Sequence, residues 1–329
     1  MRSRFFAALL AACLLTAVGC RGEESNPTGP ASSDTAAVTT GAPETEPEAK
    51  GEIDVIVLAG QSNAVGVGHT AYLTQHFQGD ELARLRRSYK DVRIRFFAHN
   101  RGNTKFERVS VGQAELNRDT FGPEVGMADY LSQTYPGRQF IIVKYAVGST
   151  TLAHDWAGPE DRYVTGEDGT LTRPVGGDFD REAGWCLDGL YALLDESLAA
   201  LEADGYEPVI RGFCWMQGEG DAITDERTEA YPARYQRMIG DFGEKYASYL
   251  ERCTYVDGGI STVWKNYQAI NDFKRQYAAE SEDRVFIDTI AEGLTTHKEP
   301  EGAPDIYHYD SDSVVKLGRL FASALRLEE

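Results

Sequence analysis

Positive charge is scarce in this chain. Its 329 residues hold 33 Lys and Arg against 52 Asp and Glu, a formal charge of −19. A field of that sign opposes phosphate backbones and argues against nucleic acid as a partner. It also argues against a polyanionic substrate held by bulk charge. A neutral substrate, or one carboxylate met by a local arginine, is left. Metal-ligand spacings are missing too: no CxxC and no HExxH occurs. Cysteine is sparse. Of five, Cys13 and Cys20 lie near the N-terminus, which leaves Cys186, Cys214 and Cys253. That odd number fits one disulfide and one free thiol, with the pairing open. No internal repeat is visible.

Long apolar runs are also few, and the one that opens the chain is short. Arg2 and Arg4 precede an apolar stretch from Phe5 to Leu15, too short to span a bilayer comfortably. Thr16-Ala17-Val18-Gly19-Cys20 follows. Small residues before a cysteine resemble a bacterial lipobox, with Ala17 where Leu is commoner. The expectation is a signal peptide over 1–19 and a lipid anchor on Cys20. Cleavage would take Arg2 and Arg4 from the −19 of the whole chain and leave −21. Residues 21–50 contain four prolines and no aromatic residue. Such a segment cannot bury enough apolar surface to offset its ordering entropy. It reads as a tether (20–50) that holds a folded domain (51–329) off a membrane. Bacterial export to the envelope, at the outer membrane or cell surface, is the matching location.

Residues 51–329 can form one large α/β core. Strand-like runs occur at Ile53–Ala59, Val92–Ala98, Phe140–Val147, Val209–Met216, Cys253–Ile260 and Val285–Ile290. Helical spacing occurs at Pro123–Thr134, Cys186–Ala203, Tyr231–Leu250, Lys265–Ala279 and Ser313–Leu327. Alternation of the two predicts a parallel sheet covered on both faces. A Gly- and Asp-rich stretch from Trp156 to Gly184 has no period, and a loop of that length inside a domain is usually functional.

Four segments carry chemistry, each at a strand end or helix start. Gly60-Gln61-Ser62-Asn63 follows the first strand and puts a serine at a glycine turn, where open α/β sheets build their sites. It is not a G-x-S-x-G elbow, since Ala64 takes the last glycine position. Lys144-Tyr145-Ala146-Val147-Gly148-Ser149-Thr150 ends a second strand, and Gly148 is either a turn glycine or a bare N–H donor for an oxyanion. Trp215-Met216-Gln217-Gly218-Glu219-Gly220-Asp221 offers the Gln217 amide to the same oxyanion. Asp305-Ile306-Tyr307-His308 pairs an acid with a histidine three residues on, which can fix its tautomer. His69, His76, His99, His154 and His297 lack such a setting, although His154 lies near a site segment.

Together these segments resemble the SGNH (GDSL-type) hydrolases, in the branch of sialate O-acetylesterases and acetylxylan esterases. Phe121-Gly122-Pro123-Glu124 and Leu317-Gly318 match further segments of that branch, and the resemblance spans 53–322. Departures are Ala64 for Met and Tyr309 where Leu is usual. The resemblance implies a three-layer α/β/α sandwich with a flavodoxin-like parallel sheet. It implies Ser62 as nucleophile, His308 as base, and an oxyanion hole of the Ser62 and Gly148 N–H groups with Gln217. Asp305 is the expected partner of His308, with Glu219 competing. Gln61, Asn63 and Trp156 are expected near the substrate, with Arg101 a more distant candidate. The implied reaction removes O-acetyl groups from an acetylated glycan through an acyl-enzyme, with no metal or organic cofactor. A non-catalytic glycan-binding lipoprotein and a lipid or peptidoglycan O-acyl esterase are the alternatives. Oligomeric state is not legible.

Overall fold

The computed structural model describes residues 49–114 and 119–327. The expected signal peptide, Cys20 and nearly all of the tether lie outside the described residues.

Six parallel strands form the centre: β1 (Gly51–Gly60), β2 (Val92–Ala98), β3 (Phe140–Ala146), β4 (Tyr206–Met216), β5 (Leu250–Gly258) and β6 (Arg284–Ile287). Their spatial order is β6-β5-β4-β1-β3-β2. Two short antiparallel strands, Arg101–Gly102 and Glu107–Arg108, pair with β2 at the edge. β1 and β3 are buried along nearly their whole length, because both faces of a parallel sheet are covered. This is why their buried parts read as apolar runs, broken only by Asp54 and Lys144.

Five longer helices flank the sheet: α1 (Pro123–Thr134), α2 (Trp185–Ala203), α3 (Asp225–Lys245), α4 (Tyr267–Ala279) and α5 (Ser311–Ser323). Alternation along β4 sends its side chains to opposite faces. Phe213 packs on Phe242 of α3 with ring centroids 4.6 Å apart, and the Trp215 indole N–H donates to the Tyr231 hydroxyl at 3.3 Å. On the other face, Gly212 meets Leu325, just past α5, and Gly258 of β5 meets Phe321. The result is a three-layer α/β/α sandwich. α3 begins six residues before the helix expected at Tyr231. Thr224 caps it by accepting from the Arg227 N–H at 3.3 Å, and Pro232 sits inside it. The Trp156–Gly184 stretch holds only two small antiparallel pairs, Val164–Thr165 with Leu171–Thr172 and Val175–Gly176 with Arg181–Glu182.

Cys186, Cys214 and Cys253 are buried free thiols, so the expected disulfide is absent. Burial pushes the Cys253 thiol up to about 12, which leaves it protonated and inert.

β1, β3 and β4 are neighbours, and the loops after them carry Ser62, Gly148 and Gln217. The chain leaves β1 and β4 toward opposite edges of the sheet, so their carboxyl ends flank a topological switch point. α5 follows the His308 loop and is pressed onto α1. A Cβ on Gly318 would lie 1.9 Å from the Pro123 carbonyl oxygen, and one on Gly126 would lie 2.0 Å from that of Val315.

This backbone contact has no room to relax. Gly318→Ala should therefore lose more to overpacking, about 1–3 kcal/mol, than the ~1 kcal/mol that alanine adds inside a helix. Urea unfolding should show a lower midpoint, whereas an unchanged or raised one would mean the helices can part freely.

Candidate active site

β1 delivers its serine through a crowded turn. Gly60 has φ 142°, and a Cβ there would sit 2.0 Å from the Met216 carbonyl oxygen, so only glycine fits. The same carbonyl accepts the Gln61 N–H at 2.9 Å, which ties the turn to the end of β4. Ser62 then opens a four-residue helix, Ser62–Val65. Its hydroxyl has no hydrogen-bond partner among the described residues. Such bonds often close only when substrate is bound.

Gly148 lies directly over the serine. The Cβ position it lacks is 3.4 Å from Ser62 Cβ, 3.6 Å from His99 Nδ1 and 3.8 Å from Ser62 Cα. The backbone N–H groups of Ser62 and Gly148 have no acceptor among the described residues. Ser149 follows with φ 59°, a left-handed conformation uncommon for serine. Trp156 holds this loop from beneath. Its indole N–H donates to Thr150 Oγ1 at 2.9 Å, and Thr150 donates on to the Val147 carbonyl at 2.7 Å. Trp156 is completely buried between Tyr145 and Trp215, so it supports the loop and meets no substrate.

His308 is held by Asp305, with Nδ1 2.5 Å from Oδ2. Glu219, the competing partner, is engaged elsewhere. It is buried, and its Oε1 accepts the Asn63 amide at 2.8 Å. Burial raises its carboxyl above the usual range, opposed first by the bond from Asn63. Asn63 Oδ1 in turn accepts the Tyr309 N–H at 3.0 Å. One carboxamide thus joins the Ser62 turn, the Glu219 loop and the His308 loop. Gln61 is buried as well, and its Oε1 accepts the Gly220 N–H at 3.2 Å. Both side chains expected at the substrate are committed to the protein instead.

Gln217 departs from expectation in the same way. It is buried, and its Nε2 donates to Asp221 at 2.6 Å and to the Thr150 carbonyl at 3.3 Å. Both N–H bonds are occupied, so neither is available to an oxyanion. Asp221 is the group the sequence reading passed over. It also accepts the Leu152 and Ala153 N–H groups at 2.7 and 3.0 Å, fastening the loop after Gly148 to the loop after β4.

The Lys144 and Glu124 segments are joined by a buried ion pair. Lys144 Nζ lies 2.7 Å from Glu124 Oε2 and donates to the Val65 carbonyl at 2.7 Å, fixing the end of the Ser62 helix. Burial lowers the lysine's pKa, opposed by Glu124. Tyr309, the departure from Leu, fills a buried slot where its hydroxyl meets the Gly259 carbonyl and Thr289 at 3.1 and 3.0 Å. Arg101 donates to the Ala114 and Gly112 carbonyls at 2.8 and 3.2 Å, in the loop that follows the edge strands. Two cavities flank the site. One of about 610 Å³ is lined by His308, Asp305, Tyr72 and Pro300. The other, about 330 Å³, is lined by Ser149, Arg227 and Trp264.

Burial pushes the Asp221 carboxyl up to about 6, opposed by its three donors. An unfolded aspartate titrates near ~3.9. The native state therefore binds more protons between the two values, and this group's contribution to stability is full below about pH 4 and lost as pH rises to about 6. Asp257, also raised to about 6, acts in the same direction. Asp221→Asn should make the fall in stability across that window shallower, as read by denaturant midpoints at several pH values. An unaltered slope would mean that Asp221 stays charged throughout.

A family model described as carbohydrate esterase, sialic acid-specific acetylesterase, matches residues 52–326. No curated protein matches the chain in sequence. Among solved structures, a protein from Arabidopsis thaliana is 16% identical with a TM-score of 0.56, over 82% of this chain and 96% of that one. NanS is 15% identical with a TM-score of 0.56, over 83% and 96%. A carbohydrate acetylesterase from Xanthomonas citri is 15% identical with a TM-score of 0.50, over 82% and 55%. At these identities the likeness is one of fold. The family match covers nearly the whole described domain, and the chain belongs to the sialic acid-specific acetylesterase family of carbohydrate esterases.

Proposed function

We propose that this carbohydrate O-acetylesterase works through an acyl-enzyme on Ser62. The observation that carries the reading is the Asp305–His308 pair at 2.5 Å, tied through Asn63 to a serine that lies beside two uncommitted N–H groups. Asp305 holds Nδ1–H and leaves Nε2 to accept the Ser62 proton. The hydroxyl oxygen then bonds to the acetyl carbon. The developing oxyanion is met by the Ser62 and Gly148 N–H groups, which cost no reorganisation at that moment. Collapse expels the sugar oxygen, which takes from His308 the proton that came from Ser62. Water repeats the sequence and releases acetate. Gln217, Glu219 and Asp221 act by holding the loops. Acetylated sialic acid and acetylated xylan are the substrates to be compared.

The same proposal extends to location. The basic start, the short apolar run and the small residues before Cys20 support export and a lipid anchor at the envelope. Cys20→Ser should move active enzyme from the membrane to the soluble fraction. Retention on membranes by the serine variant would end the anchor reading and leave the esterase reading standing.

Ser62→Ala should abolish acetate release except for a residual of about 10³-fold over water, and it should remove labelling by a serine-directed fluorophosphonate. Full activity in that variant sinks the mechanism. Asp305→Asn should lower kcat by about 10²–10⁴-fold through the wrong tautomer. Glu219→Gln, which keeps an acceptor for Asn63, should be milder. The reverse order would make Glu219 the partner of His308.

A further inference from the structure

The 330 Å³ cavity has no part in the chemistry just described. Its lining includes Ser149, His154, Asp178, Gly220, Arg227 and Trp264. Its position ties it to the site on both sides. Ser149 follows Gly148, and Gly220 follows Glu219. The Trp264 ring stands 5.3 Å from that of Tyr307, tilted by 43°, and Tyr307 precedes His308. The lining thus neighbours the Gly148 loop through Ser149 and the histidine loop through the Trp264–Tyr307 contact.

Asp155 in this lining is engaged by Thr151 and Trp185, whereas Arg227 and Asp178 have few protein partners. Arg227 donates one N–H to the Gly220 carbonyl at 3.3 Å, and no carboxylate among the described residues lies within ion-pair reach of it. Nearby arginines differ: Arg162 and Arg173 share Asp188, and Arg237 pairs with Asp161. Asp178 has neither a hydrogen bond nor an ion pair among the described residues. The Trp264 indole N–H is itself buried, so the residue offers the cavity its ring and not a donor. One donor and one acceptor thus line the cavity without satisfying one another.

This pattern selects among ligand classes. An acyl chain would leave Arg227 and Asp178 unpaired, at a cost for each. A phosphate would suit Arg227 and meet the Asp178 carboxylate. A sugar ring answers both and the Trp264 ring as well. Its C–H face packs on an indole, and its hydroxyls both donate and accept. The volume also lies in the range of small-molecule sites.

We propose that this cavity is a subsite for one hydroxylated sugar ring of the substrate, stacked on Trp264, with Arg227 donating to it and Asp178 accepting from it. The proposal rests on the acetylesterase reading and assigns specificity, not chemistry, to these residues. The test compares p-nitrophenyl acetate with acetylated xylo-oligosaccharides and O-acetylated sialic acid. Turnover of the aryl ester that depends on Ser62 establishes the esterase reading first.

Trp264→Ala and Arg227→Gln should each then raise KM for the saccharide. The ratio of saccharide to aryl-ester kcat/KM should fall by about tenfold, the size of one stacking or charge-assisted contact. Trp264→Tyr, which keeps an aromatic face, should recover most of that ratio. A ratio unchanged in both variants would overturn the proposal. So would equal losses in kcat on both ester types, which would mark a structural role. Wild-type enzyme that turns over the aryl ester but neither saccharide would overturn it as well.

Discussion

The relative placement of Ser62 and His308 depends on one buried carboxamide. Asn63 donates to Glu219 and accepts from the backbone of Tyr309, so it binds together three loops far apart in the chain. No smaller change preserves this. Aspartate would face the Glu219 carboxylate, and leucine would leave Glu219 and the Tyr309 N–H unpaired. Each orphaned buried group costs about 1–3 kcal/mol. The residue beside the nucleophile therefore works as a fastener.

The carboxyl edge of the sheet repeats this device. Lys144 and Glu124 are buried together under the Ser62 helix. Lys274 is buried beside Asp257 at 2.7 Å and donates to the Gln217 and Gly258 carbonyls. Asp221 gathers two backbone N–H groups and one amide. Burying this many polar groups is poor for stability, because desolvation offsets much of each attraction. What the arrangement does achieve is fixed geometry. A hydrogen-bonded network in a low-dielectric interior has few alternative states, although Gln217 Oε1 and Glu219 Oε2 are left without a partner among the described residues. The Ser62 and Gly148 N–H groups are thereby held in one arrangement.

Much of this was legible in the sequence, and the limit has a physical cause. The strands showed themselves because burial on both faces demands continuous apolar runs, as at Ile53–Ala59. Ser62, Gly148, Asp305 and His308 stand out in the sequence because strand-end position and local spacing say what a residue can reach. The start of α3 was hidden by Pro232, which an α-helix tolerates poorly unless its context compensates. Short polar helices at Thr70–His76 and Gly79–Arg86 have too little apolar face to show a period. Gln61, Asn63, Trp156 and Gln217 sit in the right segments, but their partners decide their roles. Asn63 meets Glu219 across 156 positions and Tyr309 across 246. No local pattern carries that information. Tyr309 reads as a departure until its hydroxyl finds Gly259 and Thr289.

The Asp305–His308 pair differs from the network beneath it. Its side chains are 40% and 27% exposed, and a hydrogen bond so open to water contributes little by itself. Its geometry is imposed by the backbone. The Asp305 N–H donates to the Glu299 carbonyl at 2.8 Å, the Tyr307 N–H to Asp305 Oδ1 at 3.0 Å, and the His308 N–H to the Asp305 carbonyl at 3.4 Å. Glu299 is anchored in turn by Ser311 at the start of α5. The turn thus presents histidine and acid already paired, while solvent keeps their attraction weak. A glycan seated over Tyr307 and Trp264 would exclude that water. The local dielectric would fall, and in the proposed mechanism the carboxylate would then stabilise an imidazolium on His308 more strongly. An exposed pair on a rigid turn is in this way suited to gain strength when substrate covers it.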